Sequence, residues 1–172
     1  MLSLRAMEPE DLDLLYHIEN DPQLWGVGVT NVPYSRYILH DYIAHASADI
    51  YTDRQLRLIV ELSDSHETVG VVDLIQFDPR HRRAEVGIVI VSPQRRRGYA
   101  RSALQSLARY AVTVLGLHQL YAIVAADNQA AIQLFRSSGY RHTATLPQWL
   151  SSGHTFTDAL LMQLFLSDDF LP

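Results

Sequence analysis

The residues best equipped for chemistry sit together in Val91-Ser-Pro-Gln-Arg-Arg-Arg-Gly-Tyr-Ala100. Gly98 removes a side chain where a ligand must approach the backbone, Ala100 is nearly as small, and Arg95, Arg96 and Arg97 add positive charge. Upstream, Glu85-Val-Gly-Ile-Val-Ile-Val91 is short, apolar and β-branched, the pattern of a largely buried strand. Downstream, Ala100, Ala103, Leu104, Leu107, Ala108, Ala111, Val114 and Leu115 recur at helical spacing, which places a helix from near Gly98 with these residues inward. A turn that hands a strand directly to a helix points free backbone N–H groups outward at the positive end of the helix dipole. That arrangement binds a phosphate or pyrophosphate, so the segment reads as the seat of a phosphorylated cofactor.

Composition narrows the rest. At 172 residues and 48% apolar content, one domain over 1–172 with a proper core is expected. No apolar run approaches the roughly 20 residues that span a bilayer, and Met1-Leu-Ser-Leu-Arg-Ala-Met-Glu-Pro9 lacks the basic-then-apolar pattern of a signal peptide. A cytoplasmic location and no membrane partner follow as expectations. With no cysteine, disulfides, thiolate metal sites and cysteine nucleophiles are excluded, and no metal is expected. All 14 basic residues are arginine, so Schiff-base chemistry and a lysine-dependent phosphate loop are excluded as well. A net charge of −5, with no aromatics interleaved among the arginines beyond Tyr99, argues against nucleic acid as partner. Carboxylates dominate before Asp78, whereas half the arginines lie between Arg80 and Arg101. An anionic cofactor in the middle and a cationic substrate toward the N-terminal half would suit that asymmetry.

The elements that must position these residues follow from periodicity. Pro9 to Glu19 reads as a helix with Leu12, Leu15 and Ile18 on one face, broken at Asn20-Asp21-Pro22. Ser35 is suited to cap a second helix that turns Ile38, Leu39, Tyr42, Ile43 and Ala46 inward. Arg54 to Leu62 and Thr68 to Phe77 read as strands across a polar turn, and Leu120 to Ala125 as a further strand. Asp127 or Asn128 caps a helix that stops at Gly139. Arg141 to Leu150 and His154 to Leu166 form a closing hairpin around Ser151-Ser-Gly153. The order is strand, two helices, three strands, helix, strand, helix, two strands: α/β with a mixed sheet.

Arg95-Arg-Arg-Gly98-Tyr-Ala100 fits the pattern Gln/Arg-x-x-Gly-x-Gly/Ala, after a strand ending in Ser92-Pro93 and before a long amphipathic helix. Asp127-Asn-Gln-Ala-Ala-Ile-Gln-Leu-Phe-Arg-Ser-Ser-Gly-Tyr140 adds an Asn-x-x-Ala, aromatic, Gly-Phe/Tyr block. With these two blocks the chain resembles the GNAT superfamily of acetyl-CoA-dependent N-acetyltransferases. Arg82-Arg-Ala-Glu85, Thr113-Val-Leu-Gly-Leu117 and Leu120-Tyr121 are similar to the spermidine/spermine branch, although the ribosomal-protein N-terminal acetyltransferases share much of the pattern. The resemblance implies a mixed, mostly antiparallel sheet with a splayed central strand pair and about four helices. It implies acetyl-CoA as co-substrate and a small-molecule amine or a peptide N-terminus as acceptor, with a homo-oligomer compatible.

The same resemblance distributes roles. Backbone amides of Arg95 to Ala100, Tyr99 included, would hold the pyrophosphate. Free backbone groups of Ile88, Val89, Ile90 and Val91 would hold the pantetheine arm and supply an oxyanion donor, and Asn128 and Phe135 would complete the cofactor site. Glu85 is the expected general base, through a water, with Asp73, Asp158 and His154 as weaker alternatives. Trp25, Tyr34, Glu85 and Trp149 are the expected acceptor contacts. Phe135 stands where many relatives carry the tyrosine that protonates the leaving thiolate. With a thiol pKa of ~8.5, releasing bare thiolate near neutrality costs only about 2 kcal/mol. Tyr99, Tyr121 or Tyr140 are the substitutes to consider. The stretch Leu24 to Tyr34 lacks the carboxylates that the polyamine enzymes carry there, which weighs against that branch and its large assemblies; Trp25 and the glycines at 26 and 28 read instead as a mobile loop over an apolar acceptor site. A weak acyl-CoA-binding module is the rival of a different class.

Overall fold

The computed structural model describes residues 2–25, 32–47 and 49–167. Its elements in chain order are β1 (Leu2–Ala6), a 3-10 turn (Pro9–Asp11) leading into α1 (Leu12–Glu19), α2 (Pro22–Trp25), α3 (Arg36–His45), α4 (Ile50–Asp53), β2 (Leu56–Leu62), β3 (Thr68–Asp78), β4 (Arg83–Ile90), α5 (Tyr99–Thr113), β5 (Gln119–Ala125), α6 (Gln129–Ser137), β6 (Arg141–Ser152) and β7 (Thr155–Phe165). The seven strands form one sheet in the order β1-β2-β3-β4-β5-β7-β6, antiparallel throughout except where β4 and β5 run parallel.

Alternation along the strands gives the sheet two apolar faces. One packs against α5 and α6 through Val60, Val72, Leu74, Ala103, Leu104, Leu107, Ile132 and their neighbours. The other packs against α1 and α3 through Leu15, Ile18, Leu39, Ile43, Ile59 and Val71. Local chemistry sets the helix ends. Ser35 Oγ accepts from the Ile38 amide at 3.2 Å, and Asn128, not Asp127, caps α6 by accepting from the Ala131 amide at 3.1 Å. Gly139 follows α6 at φ +92°, a left-handed position that favours glycine. At the N-terminus Arg5 clamps the buried Asp11 carboxylate with two 2.8 Å bonds and also pairs with Glu61, which ties β1 to the start of α1.

Several expectations need correction. Val114 is 64% exposed because α5 ends at Thr113 and Val114 only caps it. Ile38 and Ala46 also face outward, since α3 turns only the Leu39–Ile43 stripe to the sheet and stops at His45. Pro22 breaks α1 but itself opens the one-turn α2, where its fixed φ suits the first helical position. Neither α2 nor α4 has enough residues to show a period.

A close approach between β3 and β4 fixes the strand on which the site depends. Gly70 pairs with Ile90, and a Cβ at Gly70 would lie 2.1 Å from the Val89 carbonyl oxygen. Gly70→Ala is therefore expected to push the strands apart at a cost of about 3 kcal/mol. Calorimetry should show Tm lower by roughly 6–12 °C; an unchanged Tm would contradict the packing described.

Candidate active site

The parallel pair β4–β5 stays in register only over Arg83↔Gln119, Ala84↔Leu120 and Glu85↔Tyr121, whereas β3 accompanies β4 as far as Ile90. Beyond Glu85 the two central strands diverge. The gap opens into a cleft of about 300 Å³ whose walls come from β4 (Glu85–Val89), β5 (Ala122–Ala125), α6 and its cap (Asn128, Ala131, Leu134, Phe135), β3 (Val71, Asp73, Ile75) and the α1–α2 segment (Ile18, Glu19, Leu24, Trp25), with Arg57 and Leu150. The walls are mostly apolar, and the charged groups among them are Glu19, Arg57, Asp73 and Glu85.

The splay also decides which backbone groups are available. The Val91 amide donates to the Val69 carbonyl at 3.0 Å. Strict alternation in an antiparallel pair then turns the Val89 amide toward β3 and leaves those of Ile88 and Ile90 on the open β5 side. The Ile90 carbonyl on that side accepts from Arg95 Nε at 2.8 Å. Of the four residues expected to face the gap, Ile88 and Ile90 turn their amides into it, and Arg95 spends part of its guanidinium bracing the strand end. The turn that follows keeps Arg96 and Arg97 exposed and reaches Gly98 at φ +83°, with nothing within 4 Å of the position a Cβ would take. No side chain caps α5, so the first-turn amides from Tyr99 onward remain open to an anion. Tyr99 itself is half-buried against the main core, beside Ala100.

Glu85 lies half-buried in the cleft and makes no hydrogen bond or ion pair among the described residues. Burial pushes its carboxyl up from the ordinary glutamate value, the direction that suits a proton acceptor near neutrality. Tyr121, its cross-strand neighbour, has its hydroxyl raised by burial and by the Glu85 charge. Asp73 also lines the cleft but is held by Arg57, whose Nε and Nη2 donate to its two oxygens at 2.8 and 3.1 Å. Arg57 Nη1 reaches Glu19 at 2.7 Å. Burial opposes the Arg57 charge, but Asp73, Tyr42 and Glu19 outweigh it and hold the guanidinium above its usual value.

The remaining expected residues are distributed unevenly. Trp25 lines the cleft, half-buried, with its indole Nε1 donating to the Glu19 carbonyl at 3.0 Å. Asn128 lines it while capping α6, and Phe135 lines it with its ring edge-to-face on Tyr140 at 5.0 Å. Tyr140 is buried behind Phe135, its hydroxyl without a partner among the described residues and raised by burial. Tyr34 instead packs its side chain into the α1–α3 core, and its backbone carbonyl and amide are held by the Asn20 side chain, whose Nδ2 donates and whose Oδ1 accepts. Trp149 is 57% exposed and outside the cleft; its neighbour Leu150 is the β6 residue that lines it. Asp158 accepts from the Gln148 amide at 2.8 Å, pinning the irregularity between Leu146 and Leu150, and His154 is exposed at the hairpin turn. The glycines at 26 and 28 fall outside the described residues. Arg57 and Glu19 were missed by sequence reasoning; the signal was the register pair Arg57↔Asp73, visible only once β2 and β3 are aligned.

The acetyltransferase (GNAT) domain family matches residues 1–141, and the chain belongs to this family of acetyl-CoA-dependent acetyltransferases. It is similar to the spermidine N(1)-acetyltransferase of Escherichia coli strain K12, 30% identical over 166 residues that cover 95% of this chain and 86% of the relative. Its fold matches the crystal structure of spermidine N-acetyltransferase from Vibrio cholerae in complex with CoA and spermine, with TM-score 0.83, 26% identity, and coverage of 99% and 98% of the two chains. A dodecameric structure of the Vibrio cholerae enzyme matches with TM-score 0.78 at 27% identity, covering 98% and 95%. The α/β class, the mixed sheet and the acetyltransferase activity read from the sequence agree with these findings. Among the described residues, no helix is long and apolar enough to cross a membrane.

Phe135 lines the cleft at the position where the resemblance implies a general-acid tyrosine. Phe135→Tyr is expected to raise turnover by up to about tenfold near neutral pH, as a general acid would. Steady-state thiol release measures it; no gain would show that thiolate departure is already unhindered.

Proposed function

We propose that the chain transfers the acetyl group of acetyl-CoA to a primary amine of a polyamine such as spermidine. The observation that carries this reading is electrostatic: three carboxylates, Glu19, Asp73 and Glu85, line a mostly apolar cleft together with a single guanidinium, Arg57, which pairs with the first two. A low-dielectric space with surplus negative charge favours a cation, and a polyamine offers several. The carboxylates missing from residues 24–34 are thus replaced by ones from the end of α1 and from β3. The curated and structural relatives named above are spermidine acetyltransferases, which supports the same acceptor class.

The pyrophosphate would rest on the amides of the Gly98 turn with Arg96 and Arg97 at its edge, and the pantetheine arm would run between β4 and β5. The ammonium of the acceptor gives its proton to Glu85 through a water. The neutral nitrogen then attacks the thioester carbonyl, with the Ile88 amide as the donor to the oxyanion; as the intermediate collapses the C–S bond breaks, thiolate leaves, and the nitrogen's second proton passes through solvent to the thiolate, giving the amide and free CoA thiol. By analogy with the dodecameric relative, assembly of several copies is the matching expectation. Phe135 favours one second reading, a weakly catalytic acyl-CoA-binding protein. Thiol release from acetyl-CoA, assayed against spermidine, spermine, an aminoglycoside and N-terminal peptides, separates these readings. Spermidine and spermine are expected to give the highest kcat/KM. Turnover with the peptides alone would transfer the activity to protein N-termini, and none with any amine would leave only binding.

A further inference from the structure

Arg57 projects from β2 into the floor of the cleft with its side chain only 22% exposed, yet it stands apart from the reacting groups just described. It joins three elements. It holds Asp73 of β3 through two parallel bonds, Glu19 at the last position of α1 through a third, and lies 6.0 Å from the ring centroid of Tyr42 on α3. Glu19 in turn accepts the Trp25 indole on its backbone carbonyl, so the chain of contacts Asp73–Arg57–Glu19–Trp25 runs unbroken from the sheet to the apolar wall contributed by α2. The next residue, Asn20, anchors the far end of the following segment by its two bonds to the Tyr34 backbone.

We propose that Arg57 is the positioning residue of the acceptor side: by locking the C-terminal end of α1 onto β3 it fixes Trp25 as the wall of the cleft that Glu85 shares. The inference rests on the acetyl-transfer reading for its kinetic arm only. A planar fork satisfies Asp73 and Glu19 together, which a single ammonium cannot do with the same geometry.

The test uses full-length protein carrying Trp149→Phe, so that Trp25 is the single fluorophore of its type. Into it go Arg57→Met, Arg57→Lys and Glu19→Gln. Arg57→Met is expected to raise KM for spermidine by about tenfold or more while KM for acetyl-CoA stays within about twofold, the signature of lost acceptor positioning. Trp25 emission should shift to the red and become accessible to acrylamide in Arg57→Met and Glu19→Gln, with Arg57→Lys intermediate. The melting shift given by acetyl-CoA should persist in all three. Unchanged Trp25 emission in a folded variant, or a parallel rise of both KM values, overturns the proposal. If Arg57→Met does not fold, Glu19→Gln decides, because it removes the charge from the bond that holds α1 while leaving Arg57 paired with Asp73. If the parent protein turns over no spermidine, that failure belongs to the acceptor reading, and the Trp25 emission still decides the role of Arg57.

Discussion

Gly98→Glu is expected to abolish the rise in Tm that acetyl-CoA gives the native protein. At ligand about a hundredfold above its Kd, mass action stabilises the native state by ~2.7 kcal/mol, or roughly 5–11 °C for a chain of this size. The variant would place a carboxylate where, on the proposed reading, the pyrophosphate approaches the first-turn amides of α5. Gly98 has open space around it, so the new side chain meets no obstacle. Its φ of +83° is unfavourable for any other residue, which adds about 1 kcal/mol of strain without preventing folding. Gly98→Ala separates the two effects, since it carries the strain without the charge and should retain most of the acetyl-CoA shift. Differential scanning fluorimetry reads both. A Gly98→Glu protein that is folded and still shifted normally would remove the turn from the cofactor site.

The second large effect concerns Glu85. Glu85→Gln is expected to lower kcat/KM for spermidine by roughly 10²–10⁴-fold near neutral pH, the usual worth of a positioned base. Burial raises the Glu85 carboxyl, and only its ionised form accepts a proton, so activity of the native enzyme falls as pH drops through that raised value. The acid limb of the profile should therefore lie above the ~4.3 of an ordinary glutamate. In Glu85→Gln that limb should vanish, and the deficit should shrink toward about pH 9.5, where more of the amine is already neutral. A variant with the native profile would return Glu85 to a purely structural role.

How much of this could be read from sequence depends on the distance over which each feature is encoded. The Gly98 turn, the Ser35 and Asn128 caps and the stop at Gly139 rest on residues within one helical turn of each other, and they were legible. The splay was legible only through resemblance, because nothing in Glu85–Val91 itself says where β5 stops following β4. Arg57, Glu19 and Asp73 lie 16 and 38 positions apart and meet only after the strands take their register, so their cluster was invisible as a cluster. Trp149 shows a different limit. Pro147 and the left-handed Gln148 (φ 50°) shift the register of β6, turning Leu150 toward the cleft and Trp149 to solvent, which no local pattern announces. Val114 and Ile38 fit their helical periods and failed because a period gives the stripe but not its width or the last turn.

Incubation of the purified protein with acetyl-CoA and spermidine, followed by mass spectrometry of the amine and quantification of free thiol, tests the central claim most directly. Monoacetylated spermidine should appear in equal amount to the thiol released, and both should fall together in Glu85→Gln. Thiol release without acetylated spermidine, or acetylation confined to peptide N-termini under the same conditions, would contradict the account.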